Sequence, residues 1–513
     1  MTIAVDWLAQ RATLSPRRVA LIDTLTERDI TYAEWNAQAN QAAHLLRALG
    51  VTKGDRVCVL SANCVEYLDV WFACNKLGAI LQNLNWRLTV REMATLVRDA
   101  APTLFLYGND FVPQVAELRA VAPSVAHWVA FGVKADLADI AFADRATLSA
   151  TNPPLPSLTL DDPWVICYTG GTTGVPRGVV LTHGNITWNA VNTCASWGLA
   201  PNDVAVLNSP LFHTGGLNVF TAPLVHSGGA SVVCRGFDAD QVFDLLTGGR
   251  VTVVFGVPTM FTTLQQHPRW AAADFSHLKL VISGGAPCPR PIFERWFAKG
   301  IAFRTGYGLT EAGPNTFWLP PEDAELKPGA VGYPLFHITL RLIDDAGRDV
   351  TAPDQPGELL IRGPHVTPGY WRNPQATAAA IDPDGWLHSG DLATRDSEGA
   401  YTIVGRVKDL IISGGENIYP AEVESVLFAH PAVLEAALIG VPDARWGEVG
   451  RAVVVVRPGL AVTEAELRAF CRERLAAYKA PQSVVFAADL PKTGPNKVDR
   501  AQLAALYGGQ RDA

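Results

Sequence analysis

The stretch from Tyr168 to His183 restricts what this chain can fold into more than any other part of the sequence. The apolar run Val165 to Tyr168 predicts a buried strand that leads directly into Thr169-Gly170-Gly171-Thr172-Thr173-Gly174, where no regular element can continue. Glycines leave the backbone free to turn its N–H groups inward, and threonine hydroxyls add donors to the same concavity. The sequence therefore predicts a loop that holds an anion, most naturally a polyphosphate.

The exit of this loop distinguishes it from the P-loop of kinases and ATPases. Pro176 stiffens the exit, and Arg177 adds a fixed positive charge before the next apolar run. The P-loop needs Lys and then Ser or Thr directly after its second glycine, whereas Val175 follows Gly174 here. The remaining alternative is a surface turn rich in Gly and Thr, which a lone glycine-rich loop more often proves to be.

Length and composition narrow the class of protein. A chain of 513 residues is too long for one ordinary core, and its net charge of −8 without a basic block argues against nucleic acid as a partner. The eight cysteines are scattered without a C-x-x-C pair, so they are predicted to be reduced core residues. The segment Met1 to Arg18 lacks a basic region followed by an apolar block, and no run of about 18 apolar residues occurs. We therefore expect a cytoplasmic protein without integral membrane association.

The first 160 residues alternate between helix and strand patterns. Thr31 and Glu34 form a capping box that predicts a helix start, and Arg56 to Leu60 predicts a buried strand. The long apolar stretch from Glu66 to Leu84 predicts one helix that runs into another. This alternation favours an α/β fold in which helices cover mostly parallel sheets.

Four later strands are each predicted to end in a turn of glycines or small residues. In an open α/β sheet, ligands bind outside the carboxyl ends of the strands, so these turns are predicted to line one crevice. The four strands are Val204 to Leu207, Val251 to Phe255, Leu278 to Ile282 and Ile301 to Phe303.

The pattern changes twice in the last third of the chain. Short β segments after residue 330, including Leu340 to Ile343, Glu358 to Ile361 and Tyr401 to Val404, predict a small β unit. Beyond Gly405, strands and capped helices alternate over a length that suits a separate α+β domain. We therefore predict a large N-terminal domain over residues 1–405 and a small C-terminal domain over residues 406–513.

The glycine-rich loop resembles that of a known family. From Tyr168 to Gly178 it is similar to Y-T-S-G-T-T-G-x-P-K-G, the phosphate loop of the AMP-forming acyl-adenylate family, which includes acyl-CoA synthetases, peptide-synthetase adenylation domains and luciferases. Gly170 replaces the usual Ser, and Arg177 replaces the usual Lys with a planar guanidinium. The resemblance implies that the nucleotide phosphates are held by Thr169, Gly170, Gly171, Thr172, Thr173, Gly174 and Arg177.

The segment Tyr307 to Glu311 matches the next family signature, Y-G-L-T-E. A carboxylate beside a phosphate site would be repelled unless a cation lay between them, so Glu311 is predicted to bind Mg²⁺, completed by Thr172. The alternative is a glutamate favoured by a helix N-terminus. By resemblance Tyr307 stacks on adenine, and further nucleotide contacts come from Gly284, Gly285, Ala286, Pro287, Gly306, Gly308 and Thr310.

Three further motifs extend the resemblance over essentially the whole chain. Asp391 ends G-W-x-x-[ST]-G-D and Arg406 lies in G-R-x-x-D, which implies that both contact the ribose hydroxyls, with Ile403 nearby. Lys497 matches the lysine of P-x-T-x-x-G-K-x-x-R, which contacts the acid and the α-phosphate, although Asn496 replaces the family glycine. Taken alone, each of these polar residues would more often be solvated surface.

The acyl pocket is also implied by resemblance. His213 corresponds to the aromatic gate between nucleotide and acid, and the pocket is bordered by Gly216, Phe255, Gly284 and Gly306. Three glycines are expected to leave volume, which favours a medium-chain fatty or aryl acid over acetate. A Ser-His-Asp hydrolase is the weaker alternative, because no G-x-S-x-G elbow occurs.

The resemblance implies a two-step ligase. In the first step a carboxylate reacts with Mg·ATP to give acyl-AMP, and the catalytic residues are Lys497, Glu311, Thr172 and His213. In the second step coenzyme A displaces AMP, and its pantetheine lies beside Gly414, Gly415 and Trp446. Because Lys497 and the two glycines belong to different half-reactions, the C-terminal domain is expected to be mobile about a hinge near Lys408. Loading of a carrier protein and a catalytically silent acyl or nucleotide binder are the alternatives. For the oligomeric state, a homodimer is one alternative.

Overall fold

The computed structural model describes residues 4–132, 139–170, 176–492 and 498–509. Up to residue 182 it contains α1 (Trp7–Leu14), β1 (Val19–Asp23), β2 (Arg28–Thr31), α2 (Tyr32–Ala48), β3 (Arg56–Leu60), α3 (Val65–Leu77), β4 (Ile80–Asn83), α4 (Val90–Ala100), β5 (Leu104–Tyr107), α5 (Val112–Arg119), β6 (His127–Ala130), β7 (Ile140–Ala141), β8 (Pro163–Thr169) and β9 (Arg177–Thr182).

The middle of the chain completes the helices and strands that carry most of the predicted site residues. It contains α6 (His183–Trp197), β10 (Val204–Leu207), α7 (Thr214–Asn218), α8 (Thr221–Ser227), β11 (Ala230–Val233), α9 (Ala239–Thr247), β12 (Val253–Gly256), α10 (Pro258–Gln265), β13 (Leu280–Ser283), α11 (Arg290–Phe297), β14 (Phe303–Thr305), β15 (Phe317–Trp318), β16 (Tyr333–Pro334), β17 (Thr339–Ile343), β18 (Gly357–Arg362), α12 (Pro374–Ala380), β19 (Leu387–Arg395) and β20 (Tyr401–Arg406).

The last part forms its own sheet with helices packed on it. It contains β21 (Ile411–Ser413), β22 (Glu416–Ile418), α13 (Pro420–Phe428), β23 (Val433–Asp443), β24 (Gly447–Val456), α14 (Glu464–Arg472), β25 (Ser483–Phe486) and α15 (Arg500–Tyr507). The sequence patterns had indicated neither β22 nor α15.

The first large sheet has seven strands in the order β7-β6-β5-β3-β4-β8-β9. Its neighbours are parallel except β8 and β9, which are antiparallel on either side of the glycine-rich loop. The helix predicted to continue to Leu84 is wrong, because Gly78 ends α3 with a left-handed φ of 66° and β4 follows. A short, continuously apolar segment has no periodicity that separates a buried helix from a buried strand.

A cluster of aromatic side chains fills the core beside this sheet. The rings of Trp71 and Trp164 stack 5.2 Å apart, and Trp35 meets Phe72 edge-on at 4.9 Å. The predicted capping box is confirmed where α2 begins, since Thr31 Oγ1 accepts from Glu34 N and Thr31 N in turn donates to the Glu34 carboxylate. These contacts hold the N-terminal helices against the sheet that carries the loop.

The second large sheet also has seven strands, in the order β14-β13-β12-β10-β11-β1-β2. Strands β10, β12, β13 and β14 are adjacent and parallel, so the turns that follow them lie along one edge. This arrangement confirms the predicted α/β architecture of mostly parallel sheets and brings the four turns together.

A four-stranded antiparallel sheet, β17-β18-β19-β20, is the predicted small β unit. Asp391 and Arg406, which the resemblance assigned to the ribose, face each other as register partners on β19 and β20. Beyond β20 a short 3-10 helix, Val407–Asp409, contains the predicted hinge residue Lys408. The following strands form the order β22-β21-β24-β23, with β25 parallel to β24.

Two further features of the described residues concern the cysteines and the helices. All eight cysteines are unpaired, and six of them are buried. Among the described segments, no helix combines the length and the apolar character that a membrane crossing requires.

Candidate active site

The ends of the glycine-rich loop are held by its two flanking strands. Thr169 and Arg177 are register partners at the open end of the β8–β9 pair. Gly170 is exposed, and a Cβ there would meet no atom of the described residues within 4 Å, so their packing does not require glycine at this position. The predicted phosphate ligands Gly171, Thr172, Thr173 and Gly174, and the predicted catalytic Lys497, lie outside the described residues.

Glu311 lies in a single 3-10 turn, Thr310–Ala312, that packs against β9, the strand after this loop. Its backbone carbonyl accepts from Thr367 N at 2.8 Å, and its Oε1 accepts from the Tyr370 hydroxyl at 3.0 Å. Burial raises the pKa of the Glu311 carboxyl, against the lowering effects of the Tyr370 bond and of Arg177. The structure therefore presents one shielded carboxylate beside a guanidinium.

Tyr370 is a site residue that sequence reasoning missed. Its ring lies under the Arg177 guanidinium, 5.5 Å from centroid to Cζ, and its hydroxyl reaches Glu311. Burial and the neighbouring carboxylate raise the pKa of Tyr370 to about 12, so it is a neutral hydrogen-bond donor at physiological pH. A tyrosine in a short extended segment far along the chain gives no pattern from which this contact could be predicted.

The side chains around Glu311 suit a metal ion that enters the site already bound to its substrate. Among the described segments, no three His, Cys, Asp or Glu side chains are grouped as a metal-binding set. Mg²⁺ is commonly held by one or two carboxylates together with substrate phosphates and water, and does not need an all-protein cage. The single shielded carboxylate of Glu311, next to the loop, fits that mode of binding.

Asp391, Tyr307 and Arg406 form a second polar group. Asp391 is buried, accepts from the Tyr307 hydroxyl at 2.5 Å and pairs with Arg406 Nε at 3.0 Å. Burial, followed by the charge of Asp391, raises the pKa of Tyr307 well above its usual value. Ile403, also on β20, is half-buried in the apolar cluster that includes Tyr307. The antiparallel pairing of β19 and β20 thus places a carboxylate and a guanidinium side by side.

Two turns next to Tyr307 are restricted to glycine for different reasons. Gly285, in the segment with Gly284, Ala286 and Pro287, has φ of 80°, the left-handed region that side chains avoid. Gly308 passes directly over Pro314, and a Cβ at Gly308 would lie 1.3 Å from that carbonyl oxygen. The first turn therefore depends on a backbone conformation that favours glycine, and the second on the close approach of two backbone segments.

Gly308→Ala is expected to destabilise the protein by about 3 kcal/mol or more, because neither backbone segment can move away without disturbing the turn before Glu311. The measurement is the free energy of unfolding in denaturant. Gly170→Ala is the matched control, since a Cβ there meets open space. Equal stability of the two variants would contradict the packing argument.

An apolar cleft opens at the ends of β10 and β12. It is lined by Ala205, Val206, Leu207, Ser209, Gly215, Gly216, Phe220, Thr221 and Phe255. His213 caps α7 at the edge of this cleft, and its ring centroid lies 4.6 Å from that of Phe212. The structure thus brings together His213, Gly216 and Phe255, three of the residues assigned to the acyl pocket.

The prediction that the three pocket glycines leave open volume is wrong for Gly216 and Gly306. A Cβ at Gly216 would lie 2.4 Å from the Pro210 carbonyl oxygen, and one at Gly306 would lie 2.9 Å from Ile282 Cδ1. At Gly284 the nearest atom is Phe255 Cε2, at 3.0 Å. Gly216 and Gly306 therefore allow tight packing and do not create open space. Only Gly215, which was not singled out, has room for a side chain, 3.5 Å from Phe255.

The predicted coenzyme A residues meet at one end of the C-terminal sheet. Gly414 N donates to the Trp446 carbonyl at 2.8 Å, and a Cβ on Gly414 would lie 2.6 Å from the indole ring. Gly414 and Gly415 have φ of 60° and 88°, and the Trp446 side chain is 42% exposed. Gly414 thus packs against the indole, while Gly415 and one part of the Trp446 residue remain accessible.

Family profiles and known proteins match nearly the whole chain. The profile of the AMP-binding enzyme family matches residues 8–371, and that of the AMP-binding enzyme C-terminal domain matches residues 422–497. The chain is 41% identical to a feruloyl-CoA synthase of Amycolatopsis sp, covering 98% of this chain and 99% of the relative. It is 37% identical to an indoleacetate–CoA ligase of Aromatoleum aromaticum, covering 98% and 97%.

A solved structure extends the similarity to the whole fold. ATP-bound MatB from Rhodopseudomonas palustris superimposes with a TM-score of 0.90 at 32% identity, covering 99% of each chain. The sequence patterns, the strand topology and these relatives therefore indicate one and the same fold.

Proposed function

The chain belongs to the AMP-binding enzyme family, and on that premise we propose that it is an ATP-dependent ligase that joins an aromatic carboxylic acid to coenzyme A. The observation that carries the proposal is the buried Glu311 carboxylate, which accepts from Tyr370 and lies within electrostatic reach of Arg177 and of Arg406, the ion-pair partner of Asp391. These groups suit the phosphates and the ribose of one nucleotide.

The first step joins the acid to the nucleotide. A carboxylate oxygen attacks the α-phosphorus of ATP, the new O–P bond forms, and the bond to the bridging oxygen breaks to release pyrophosphate. Arg177 and Lys497 neutralise charge on the phosphates and on the attacking oxygen, and Asp391 with Arg406 orients the ribose. Mg²⁺, bound through Glu311 and Thr172, would neutralise further charge on the phosphates.

The second step transfers the acyl group. The thiol sulfur of coenzyme A attacks the acyl carbon, the C–S bond forms, the C–O bond to AMP breaks, and the thiol proton passes to solvent. Gly415, where a Cβ would meet no described atom within 4 Å, leaves space for the pantetheine arm, whereas Gly414 lets the backbone pack against the Trp446 indole. Since Lys497 and this surface serve different steps, we propose that residues 406–513 rotate about Lys408 between them.

An aromatic acid is favoured over other acids within this class. Two of the relatives act, by name, on feruloyl and indoleacetate groups, both of which carry a flat ring. The cleft has a volume of only about 10 Å³ in this structure and would have to widen to admit such a ring, which could then pack against Phe220 and Phe255, with Ser209 as a polar neighbour. The eight unpaired cysteines support a cytoplasmic location for the reaction.

A panel of carboxylic acids, assayed for AMP release with and without coenzyme A, tests the proposal. Hydroxylated cinnamic acids and aryl acetic acids are expected to give acid-dependent AMP that rises with coenzyme A, and acetate is expected to give little. Acid-dependent pyrophosphate release with no thioester would point to another acceptor. The absence of any acid-dependent release would refute the ligase assignment.

Gly215→Leu is expected to shift preference toward smaller acids, because the new side chain enters the cleft beside Phe255 without a backbone clash. The ratio of kcat/KM between a cinnamic acid and a short fatty acid should fall by about tenfold. Gly215→Ala, with one added carbon, should cause a smaller shift in the same direction. An unchanged ratio in both variants would place the acyl group elsewhere.

A further inference from the structure

The segment that carries Tyr370 is fixed at its backbone along the free edge of β9. Gly369 O accepts from Val180 N at 3.0 Å, and Trp371 N donates to Gly178 O at 2.7 Å. Tyr370 N is in turn held by Thr377 Oγ1 at 2.9 Å. A tyrosine whose own backbone and both neighbours are hydrogen-bonded has little freedom to move its ring.

This fixed ring contacts two functional groups at once. Its hydroxyl donates to Glu311 Oε1 at 3.0 Å, and its face lies under the Arg177 guanidinium at 5.5 Å. Glu311 comes from the second sheet's edge and Arg177 from the glycine-rich loop of the first sheet. Tyr370 is therefore a direct link between the two sides of the proposed phosphate site.

The positive charges of two arginines near Glu311 explain why the hydrogen bond from Tyr370 matters. Arg177 and Arg406 both act electrostatically on the Glu311 carboxylate. An ion pair between Glu311 and either guanidinium would occupy the carboxylate and the cation together, and neither would then be available to the nucleotide. A hydrogen bond from a neutral hydroxyl orients the carboxylate without neutralising it.

We propose that Tyr370 is a positioning residue, which holds the Glu311 carboxylate in the orientation that receives metal-bound ATP and keeps it from pairing with arginine. The inference rests on the proposed function, in which Glu311 meets the metal. Tyr370 is therefore expected to affect the binding of metal-bound ATP and to leave the binding of the nucleoside unchanged.

The test compares Tyr370→Phe with the unmodified protein by calorimetric titration of Mn²⁺·ATP and, separately, of AMP. Loss of a hydrogen bond to a charged group is expected to weaken Mn²⁺·ATP binding about tenfold, with AMP binding changed less than about twofold. Tyr333→Phe is the matched control, because Tyr333 also donates to a carboxylate, Asp323, at 3.2 Å, away from the loop. That control should bind both ligands normally.

A double-mutant cycle shows whether Tyr370 acts through Glu311. In a Glu311→Gln background, Tyr370→Phe is expected to add less than about twofold to the loss, because the group that it positions is already gone. Tyr370→Leu, which also removes the ring under Arg177, is the second variant if the Phe variant does not fold. It is expected to lose at least as much Mn²⁺·ATP affinity.

Three results would overturn the proposal: unchanged Mn²⁺·ATP binding, an equal loss of AMP binding, or a full additional loss in the Glu311→Gln background. The acid panel is measured independently on the unmodified protein. A protein that binds Mn²⁺·ATP but forms no acyl-AMP would refute the ligase function and leave the comparison at Tyr370 valid.

Discussion

Glu311→Gln is expected to lower the rate of acyl-AMP formation by about 10²–10³-fold, the scale seen when one charge-stabilising group is removed from an active site. The amide keeps the shape of the side chain and can still accept from Tyr370 through its oxygen. It loses the negative charge that would hold a divalent cation against the phosphates. Glu311→Gln should therefore slow the formation of acyl-AMP without lowering the stability of the fold.

Acid-dependent exchange of pyrophosphate into ATP measures this step, and it should be followed over a range of Mg²⁺ concentrations. Glu325→Gln is the matched control, since Glu325 is an exposed glutamate a short distance along the same chain. Thermal melting of both variants should match the unmodified protein. Near-normal exchange by Glu311→Gln at limiting Mg²⁺ would remove Glu311 from the metal site.

Lys497→Ala is expected to lower acyl-AMP formation from ATP by about 10²–10³-fold while transfer from pre-made acyl-AMP to coenzyme A stays within a few-fold of normal. The lysine charge opposes charge on the attacking oxygen and the α-phosphate, which are reacting groups only in the first step. Three residues later, Arg500 is anchored to Glu424 at 2.7 Å and lies 3.4 Å from Asp409, beside the proposed hinge. A movement at Lys408 would therefore be transmitted to the segment that follows Lys497.

The two half-reactions should be assayed separately, one by pyrophosphate release and the other with synthetic acyl-AMP. Lys492→Ala provides the control, because Lys492 also precedes α15 but forms an ion pair with Glu435 at 2.7 Å. That variant should retain both activities. If Lys497→Ala lost both half-reactions equally, the lysine would have a structural role and the proposal of two domain positions would lose its support.

Several features of this protein could be predicted from the sequence alone, because they depend on residues that are close together in the chain. The capping box at Thr31 starts α2 because both of its hydrogen bonds form within one turn of chain. Strands β8 and β9 follow from two apolar runs that stand on either side of a glycine cluster. The resemblance of five short motifs then indicated the family, because each motif holds its residues in a fixed order that needs no knowledge of the fold.

Other features depend on neighbours distant in sequence, and only the tertiary structure decided them. Residues 80–83 form a strand because β3 and β8 lie on either side of them, although their apolar character suits a helix equally well. Gly216 and Gly306 are glycines because Pro210 and Ile282 occupy the space where a side chain would be.

The site itself shows the same division. Glu311 could be named from its motif, since the residues that identify it are adjacent in the chain. Its partner Tyr370 is 59 residues away, and the hydrogen bond between them exists only because the chain after β18 returns along the edge of β9. Sequence determines which groups are available, whereas the packing of distant segments determines which of them meet.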